Sequence, residues 1–552
     1  MIIQRYNPYN KLYYKLICNL QYPNNYFLSQ VTDNQYINIQ IIAMPIAQNE
    51  QLFKLIQSLE KAEKRHFKLY VNRLDSNKNV MFIKLFDILE KSKSLDEQKI
   101  KKSFPKIKSS DFTNLKRHLY SQILKSLRLL HSRHDIDIQI REQIDYAKIL
   151  YGKSLYLQSL KLLDRIIPLA KDSNQEILLL EILEFEKLIE SRHITRSRNI
   201  KDKVEGLITL STRSNVTISR TSEISNLSLM IQGLYIKMGF VKNDKERFLV
   251  ESYFKSNIPS VLSKNPGFYE EILLHQSYVW FHYMTLEYEL SLERAIQWVD
   301  VFDNNPIMQK KDPDLYLRGM HYVLTNNFYL NNKEDFSAWK KRYFKFIKNN
   351  EETFNETTKL LNFIYGNNIK INELILKRKF QETNKLEKEI FEEMKEFSLQ
   401  IDSHRVKMFH YKFAWLKIAI GDFQSAIDHL NYILQPKKGH LRKDLICYAK
   451  ILNLIANFHL KNYVLVQNLI PAVKRTIEKQ GEQSGALSMI LTMLNKKQSD
   501  DSFNAFADKL LKKLEKIKSY GFDKRIFNYF DFFLWAQSLS EGSKMSEIYP
   551  EV

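Results

Sequence analysis

The densest chemistry in this sequence is electrostatic. Between Lys99 and Arg133 stand ten basic residues, Lys99, Lys101, Lys102, Lys106, Lys108, Lys116, Arg117, Lys125, Arg128 and Arg133, against the single acid Asp111. A helix over 110–132 gathers Leu115, Leu119, Ile123, Leu127 and Leu130 into one apolar stripe. The same helix turns Arg117, Ser121, Lys125 and Arg128 to another side. Arg117, Lys125 and Arg128 are therefore the candidate anion-binding residues, able to neutralise phosphate or meet an acidic protein surface. A helix over 95–103 would pair with this one as a helix-turn-helix-like element. The plainer reading of the same residues is a solvated face of a helical bundle.

Other groups fall short of a working arrangement. Gly152-Lys153-Ser154 has the ending of a phosphate-cradling loop, but Ala147 stands where the first glycine is needed and no strand precedes it. The segment reads as a turn. Gly481 and Gly485 flank a serine that sits one position too late for a nucleophile elbow. His131 and His134 lie three apart and His275 and His282 seven apart, yet zinc needs three or four converging ligands, and neither pair has a neighbouring cysteine or His-Glu-x-x-His motif. They read as solvated or core histidines. Adjacent carboxylates such as Glu270-Glu271 and Glu392-Glu393 face different ways on a helix, which does not suit paired acid and base work. No catalytic residue, metal site or cofactor is indicated, and the expectation is a protein that is not an enzyme.

The elements that carry these residues are helical. Thirteen glycines and twelve prolines in 552 residues are few against average usage of about 7% and 5%. Turns are sparingly specified, and no long stretch alternates apolar and polar residues as a sheet would. The length and the 44% hydrophobic content permit a large core. Two cysteines, Cys18 and Cys447, make no disulfide framework, and a reducing, cytoplasmic setting is the expectation. No run of about 18 apolar residues suggests a transmembrane helix. The net charge of +21 permits anionic partners without demanding them.

Residues 1–43 have a different texture from the rest. Tyr, Asn and Ile each occur seven times there, against one alanine and the single acid Asp33. From Met44 the chain enters an amphipathic pattern through Leu52, Phe53, Leu55, Ile56 and Leu59, with Asn49 placed to cap it. The expectation is a non-native or flexible extension ahead of a true start at Met44; a targeting peptide is disfavoured by Asn19, Asn38 and Gln40 within its apolar stretches. Residues 44–135 then form a basic helical unit with helices over 50–73, 79–92, 95–103 and 110–132, the last capped by Ser110 or Asp111.

Beyond it an apolar pattern recurs at offsets 0, 3, 7 and 10. It occurs at Tyr156, Ser159, Leu163 and Ile166, at Leu292, Ala295, Val299 and Phe302, and at Phe336, Trp339, Tyr343 and Phe346. It returns at Phe423, Ala426, Leu430 and Ile433 and at Tyr463, Val466, Ile470 and Val473, and more poorly at Phe380, where Glu387 interrupts it. Phe503, Phe506 and Leu510 fit it too. Starts at 292, 336, 380, 423 and 463 are forty to forty-four residues apart. Helical patterns near 199–212 and 244–256 fill the gap after 156.

The stretch Ile420-Gly421-Asp422-Phe423-Gln424-Ser425-Ala426, followed by Leu430, Ile433 and Pro436, resembles the second half of a tetratricopeptide (TPR) repeat. In that family the glycine permits the tight turn between helices, the aromatic and the small residue pack them, and the proline ends the unit. The resemblance implies an all-α fold: an α-solenoid of TPR-like hairpins over 136–540 behind an N-terminal helical domain, with 541–552 as a tail. It transfers no ligand-binding residue, and the period exceeds the family's, about 34 residues. A helix over 524–539, rich in Phe and Trp, is expected to close the last hairpin. The functional expectation is a non-enzymatic scaffold that binds a protein or peptide on its repeat surface. The alternative is a nucleic-acid-associated regulator whose basic N-terminal domain contacts phosphate; no membrane role is expected.

Overall fold

The computed structural model describes residues 48–548 apart from 74–78, 93, 106, 133–134, 194–199, 259–265, 399, 436–441, 496–502 and 519–520. The segment 1–43, with its expected start at Met44, lies outside the described residues, as do Lys106, Arg133, His134 and Pro436. Among the described residues every regular element is a helix and there is no strand. The protein is an all-α solenoid in which most helices pack on near neighbours in sequence.

The N-terminal unit consists of α1 (Gln48–Ser58), α2 (Lys61–Arg73), α3 (Asn79–Lys91), α4 (Glu97–Lys102) and α5 (Ser109–His131). Its own core joins Leu52, Ile56, Phe67, Phe86, Leu119 and Ile123. The helix expected over 50–73 is broken at Leu59-Glu60, where the Glu63 carboxylate turns back to accept from the Glu60 amide at 2.8 Å and starts a new helix. Ser110 and Asp111 do not cap α5. The helix begins earlier, at Ser109, with Lys108 in the extended N-cap position, so both residues sit inside its first turn.

The solenoid proper follows as α6 (Ile136–Gly152), α7 (Tyr156–Asp172), α8 (Glu176–His193), α9 (Lys203–Met238), α10 (Asp244–Asn257), α11 (Phe268–Met284) and α12 (Tyr288–Asp303). It continues through α13 (Pro306–Lys311), α14 (Pro313–Tyr329), α15 (Lys333–Asn350), α16 (Glu356–Lys377), α17 (Thr383–Glu393) and α18 (Ser403–Ile420). Then come α19 (Phe423–Leu434), α20 (Lys443–His459), α21 (Tyr463–Lys479), α22 (Gly485–Leu494), α23 (Phe503–Lys518) and α24 (Phe532–Glu541).

Six hairpins share one turn. The residue two places before the second helix (or its leading 3-10 turn at Phe380) takes a left-handed conformation: Ser154, Leu286, Asn331, Arg378, Gly421 and Lys461, with φ between 57° and 80°. The following amide then donates to a carbonyl five residues back, as in Leu155 to Leu150, Glu287 to His282, Asn332 to Asn327, Lys379 to Leu374, Asp422 to Lys417 and Asn462 to Asn457. This is the Schellman pattern, which satisfies carbonyls that the first helix leaves open. Gly421 alone uses the residue type that tolerates φ of +80° without strain. The other five positions carry side chains there, which is why the sequence shows the glycine signal once.

The turns also fix the register of the repeat. Second helices start at 156, 288, 333, 423 and 463, with a 3-10 turn at Phe380–Glu382 leading into α17. The stripes read from Leu292 and Phe336 are therefore one helical turn late with respect to the others. A shift of three or four residues leaves an apolar stripe in place, so periodicity alone cannot detect it. Burial is complete at offsets 3, 7 and 10 in the unit of Phe423, where Ala426, Leu430 and Ile433 have no exposed surface. At offset 0, Phe336 and Phe380 are buried, whereas Tyr156, Phe423 and Tyr463 are half-buried. Each fully buried Phe or Leu contributes about 1.5–3 kcal/mol.

The gap after 156 is filled less regularly, because α9 runs for 36 residues without a break. Its end turns at Gly239, where φ is +71° and a Cβ would lie 3.0 Å from an Asp444 oxygen, so a side chain would be strained there. This approach brings α9 back to α20 and winds the solenoid on itself. Lys242 then reaches Glu482 at 3.5 Å.

The chain's end folds into that winding. Instead of one helix over 524–539, Phe522–Asn528 is a 3-10 segment and α24 starts after Asp531, whose carboxylate accepts from the Leu534 amide at 2.9 Å. Arg525, tied to Glu482 and to the Phe522 carbonyl, holds the first part away from the helical path. Trp535 Nε1 donates to His459 Nε2 at 3.0 Å, Tyr411 donates to the Tyr529 carbonyl at 3.1 Å, and the Ser546 amide donates to the Ala419 carbonyl at 3.1 Å. The aromatic cluster is thus core that joins α18 and α20.

Candidate functional site

The first helices of successive hairpins, α9, α11, α14, α16, α18 and α20, turn one face to the inside of the winding. Together with the 3-10 segment and α24 they enclose a cavity of about 640 Å³, within the range of about 300–1,000 Å³ usual for ligand pockets. Its wall is aromatic. Tyr235, Trp280, Tyr322, Tyr329, Tyr365 and Trp415 are all on it, with ring contacts such as Trp280 to Tyr322 at 5.6 Å and Tyr235 to Trp280 at 5.3 Å. These helices carry apolar residues on more than one face, since one face packs in the hairpin layer and the other lines the pocket.

The charged groups of the wall are mostly cationic. Lys412, Arg378, Arg405 and Arg442 line it, with His321 and His404, against the single lining carboxylate of Asp531. Asp531 is already engaged as the cap of α24. Arg442 is paired: its Nε and Nη2 reach Asp444 at 2.8 and 2.6 Å, and the Tyr529 hydroxyl donates to the same carboxylate at 2.5 Å. Burial works against the Asp444 carboxylate, but the adjacent Arg442 and Tyr529 outweigh it and hold the group below its usual range.

Lys412 differs. Its Nζ donates to Asn372 Oδ1 at 2.8 Å, and no carboxylate of the described residues reaches it. Burial pushes its ammonium down to about 7. Five residues along the same helix, Lys417 meets Glu387 at 2.9 Å and Asp422 at 3.2 Å. There burial is outweighed by the two carboxylates, and the ammonium is held above its ordinary value. His321, facing the same pocket, stacks on Tyr365 at 4.3 Å, and its buried Nδ1 has no partner. Burial, with the charges of Lys412, Arg318 and Arg405 nearby, lowers its imidazole to about 3. It is neutral at any ordinary pH. The buried Trp280 Nε1 is an unpartnered donor among the lining residues.

The residues singled out from sequence lie elsewhere. Arg117, Lys125 and Arg128 are exposed on α5. Arg117 donates to Asn114 at a long 3.5 Å, and Arg128 is paired with Asp145 of α6 at 3.1 Å. The shallow depression beside Arg128 holds Arg141 together with the acids Asp145 and Glu181, a balanced set. Lys116, from the same block, is buried over the Phe112 ring at 4.8 Å. The other motifs are local. Ser154 makes a hairpin turn, Gly481 is left-handed at φ +66°, and Ser484 caps α22. His131 bonds Glu63 and His282 bonds Glu287, each at 2.8 Å, while Glu270 caps α11 through the Gly267 amide.

The pocket residues gave one local signal in sequence: Lys412, with His410 and Lys417, interrupts the otherwise apolar run from Phe409 to Ile420. A lysine in an all-round apolar helix must find a partner or a cavity. Compared with protein-family models, curated proteins and solved structures, the chain matches none.

Proposed function

We propose that this protein is a non-enzymatic scaffold of TPR-like hairpins that binds a peptide segment of a partner protein on the inner face of its solenoid. The observation that carries the reading is the aromatic pocket, to which successive hairpins each contribute a first helix. Stacked hairpins present an extended inner surface suited to an extended chain, and rigid Tyr and Trp side chains offer large contact area at small entropy cost. The TPR likeness is supported by the Schellman turns and by the packing of Ala426. A cytoplasmic setting accords with the buried Cys447, whose thiol burial pushes up to about 12 and so leaves unreactive. No helix of the described residues is long and apolar enough to cross a membrane.

A peptide-display selection on the wild-type protein, counter-selected on a Trp280→Ala/Tyr322→Ala double variant, tests this reading. It should enrich peptides that the double variant no longer retains. Enrichment of peptides indifferent to the pocket, or no enrichment, would defeat it. The nucleic-acid alternative draws on the exposed Arg117 and Lys125, but Arg128 is engaged with Asp145, which reduces the cationic face it needs.

A further inference from the structure

We propose that Lys412, with His321 beside it, forms a carboxylate subsite in the pocket, which takes either the C-terminal carboxylate or an acidic side chain of the bound peptide. The inference rests on the peptide-scaffold reading and adds the chemistry of what is recognised.

Three observations converge on it. The first is the contrast within α18. Lys417 has two carboxylates from its own fold, whereas Lys412 has an amide oxygen and an opening to the cavity. Lys412 is half-buried, and an ammonium partly withdrawn from water without a counter-charge is unfavourable, so an arriving anion relieves it. The second is the arrangement of donors. His321, whose imidazole feels the Lys412 charge, carries an unpartnered ring nitrogen that one tautomer makes a donor, and Trp280 Nε1 is an unpartnered donor among the lining residues of the same cavity. One ammonium with a few neutral donors suits the two oxygens of a carboxylate. The third is the balance of the lining, where four cationic side chains, Arg442 among them paired with Asp444 and Arg405 with Asp402, stand with one carboxylate that already caps a helix. The aromatic wall around these groups would take the apolar remainder of the ligand.

Proton linkage follows from the surroundings. Lys412 donates to Asn372 on α16 and its charge acts on His321 of α14, where Arg318 and Arg405 also act, while Tyr322, Tyr365 and His404 line the same cavity. His321 and His404 are lowered and so neutral at pH 8, and Arg318 is raised above its ordinary value. Tyr322 is pushed above the ordinary phenol range. Lys412 is thus the group set to gain a proton when a carboxylate arrives between about pH 7 and 9.

The test uses three pentapeptide pools that share a C-terminal Phe: free carboxylate, carboxamide, and carboxamide with an internal Glu. Retention is read by size exclusion and mass spectrometry on wild type, Lys412→Met and Lys412→Arg. Wild type should retain the free-acid pool, the Glu pool or both about tenfold above the plain carboxamides, and which pool leads identifies the source of the carboxylate. Lys412→Met should abolish the preference and leave carboxamide retention unchanged; Lys412→Arg should restore part of it. Calorimetry on wild type at pH 8, with the best-retained acid in buffers of different ionisation enthalpy, should show uptake on the order of one proton per peptide. This measurement stands even where Lys412→Met fails to fold. Equal retention of acids and carboxamides by wild type, a preference that survives Lys412→Met, or no proton uptake would overturn the subsite alone. Retention of no pool would overturn the scaffold reading with it.

Discussion

Removing Arg525 should be among the most damaging single changes in the repeat region. Its side chain is 1% exposed and meets the 2% exposed Glu482 carboxylate at 3.3 Å. Glu482 also faces Lys242 at 3.5 Å and accepts from the Tyr448 hydroxyl at 3.4 Å. Burial outweighs both cations, so the Glu482 carboxyl sits above its ordinary value even while paired. Arg525→Met leaves that carboxylate with the more distant Lys242 as its cation, and breaking a buried pair in this way costs about 3–5 kcal/mol. Because a domain's whole stability is about 5–15 kcal/mol, this is a large fraction of it. Arg525→Met/Glu482→Met removes both charges and should be less damaging than the sum of the single changes, with a coupling of about 1–3 kcal/mol. Urea unfolding followed by tryptophan fluorescence is the assay, since all five tryptophans lie between 280 and 535. A loss under about 1 kcal/mol for Arg525→Met, or strict additivity in the double variant, would refute the argument that this pair fastens the winding.

Gly421→Ala should destabilise by about 1–2 kcal/mol through its φ of +80°, while Lys461→Gly at the equivalent turn should change stability by less than about 1 kcal/mol, because relief of strain offsets the added chain entropy; thermal melts of the pair check this. Ala426→Leu should cost about 1–3 kcal/mol by overpacking a position with no exposed surface, measured by urea midpoint. With Arg117, Lys125 and Arg128 all changed to glutamine, folding should shift by under about 1 kcal/mol, since these charges are exposed. The unmodified protein should bind duplex DNA with a dissociation constant of about 10⁻⁴ to 10⁻⁶ M near 0.15 M salt; a salt-resistant, sub-micromolar complex lost in the triple variant would promote the nucleic-acid reading.

The hairpin architecture was legible because its determinants are local. Ala426, Leu430 and Ile433 lie on one face of one helix, and a period near 3.6 exposes them in sequence. The turn was legible once, at Gly421, where residue type and backbone conformation agree. It was illegible at Leu286, Arg378 and Lys461, since a Schellman turn can hold a strained non-glycine residue when the packing around it over-determines the path. The split of the last helix escaped for a related reason, since Arg525 finds Glu482 only through three-dimensional placement. The break between α1 and α2 was written locally, in Glu63 three residues after Glu60, and was masked because the apolar pattern continues across it.

The pocket lies one level further from the sequence, because none of its walls is a local motif. Tyr235 and Arg442 are more than two hundred positions apart, yet the guanidinium stacks over that ring at 4.7 Å. The contact lies where Gly239 lets α9 approach Asp444 and where Arg525, Glu482 and Lys242 fasten the same region. A basic cluster such as Lys99 to Arg133 is conspicuous in sequence because its charges are contiguous, but contiguous exposed charges are well hydrated and contribute little individually. Lys412 is a single charge in an apolar helix, and its weight comes from what surrounds it. Under the proposed reading, recognition follows desolvation and not charge density, which places the inner face of α18 ahead of the outer face of α5.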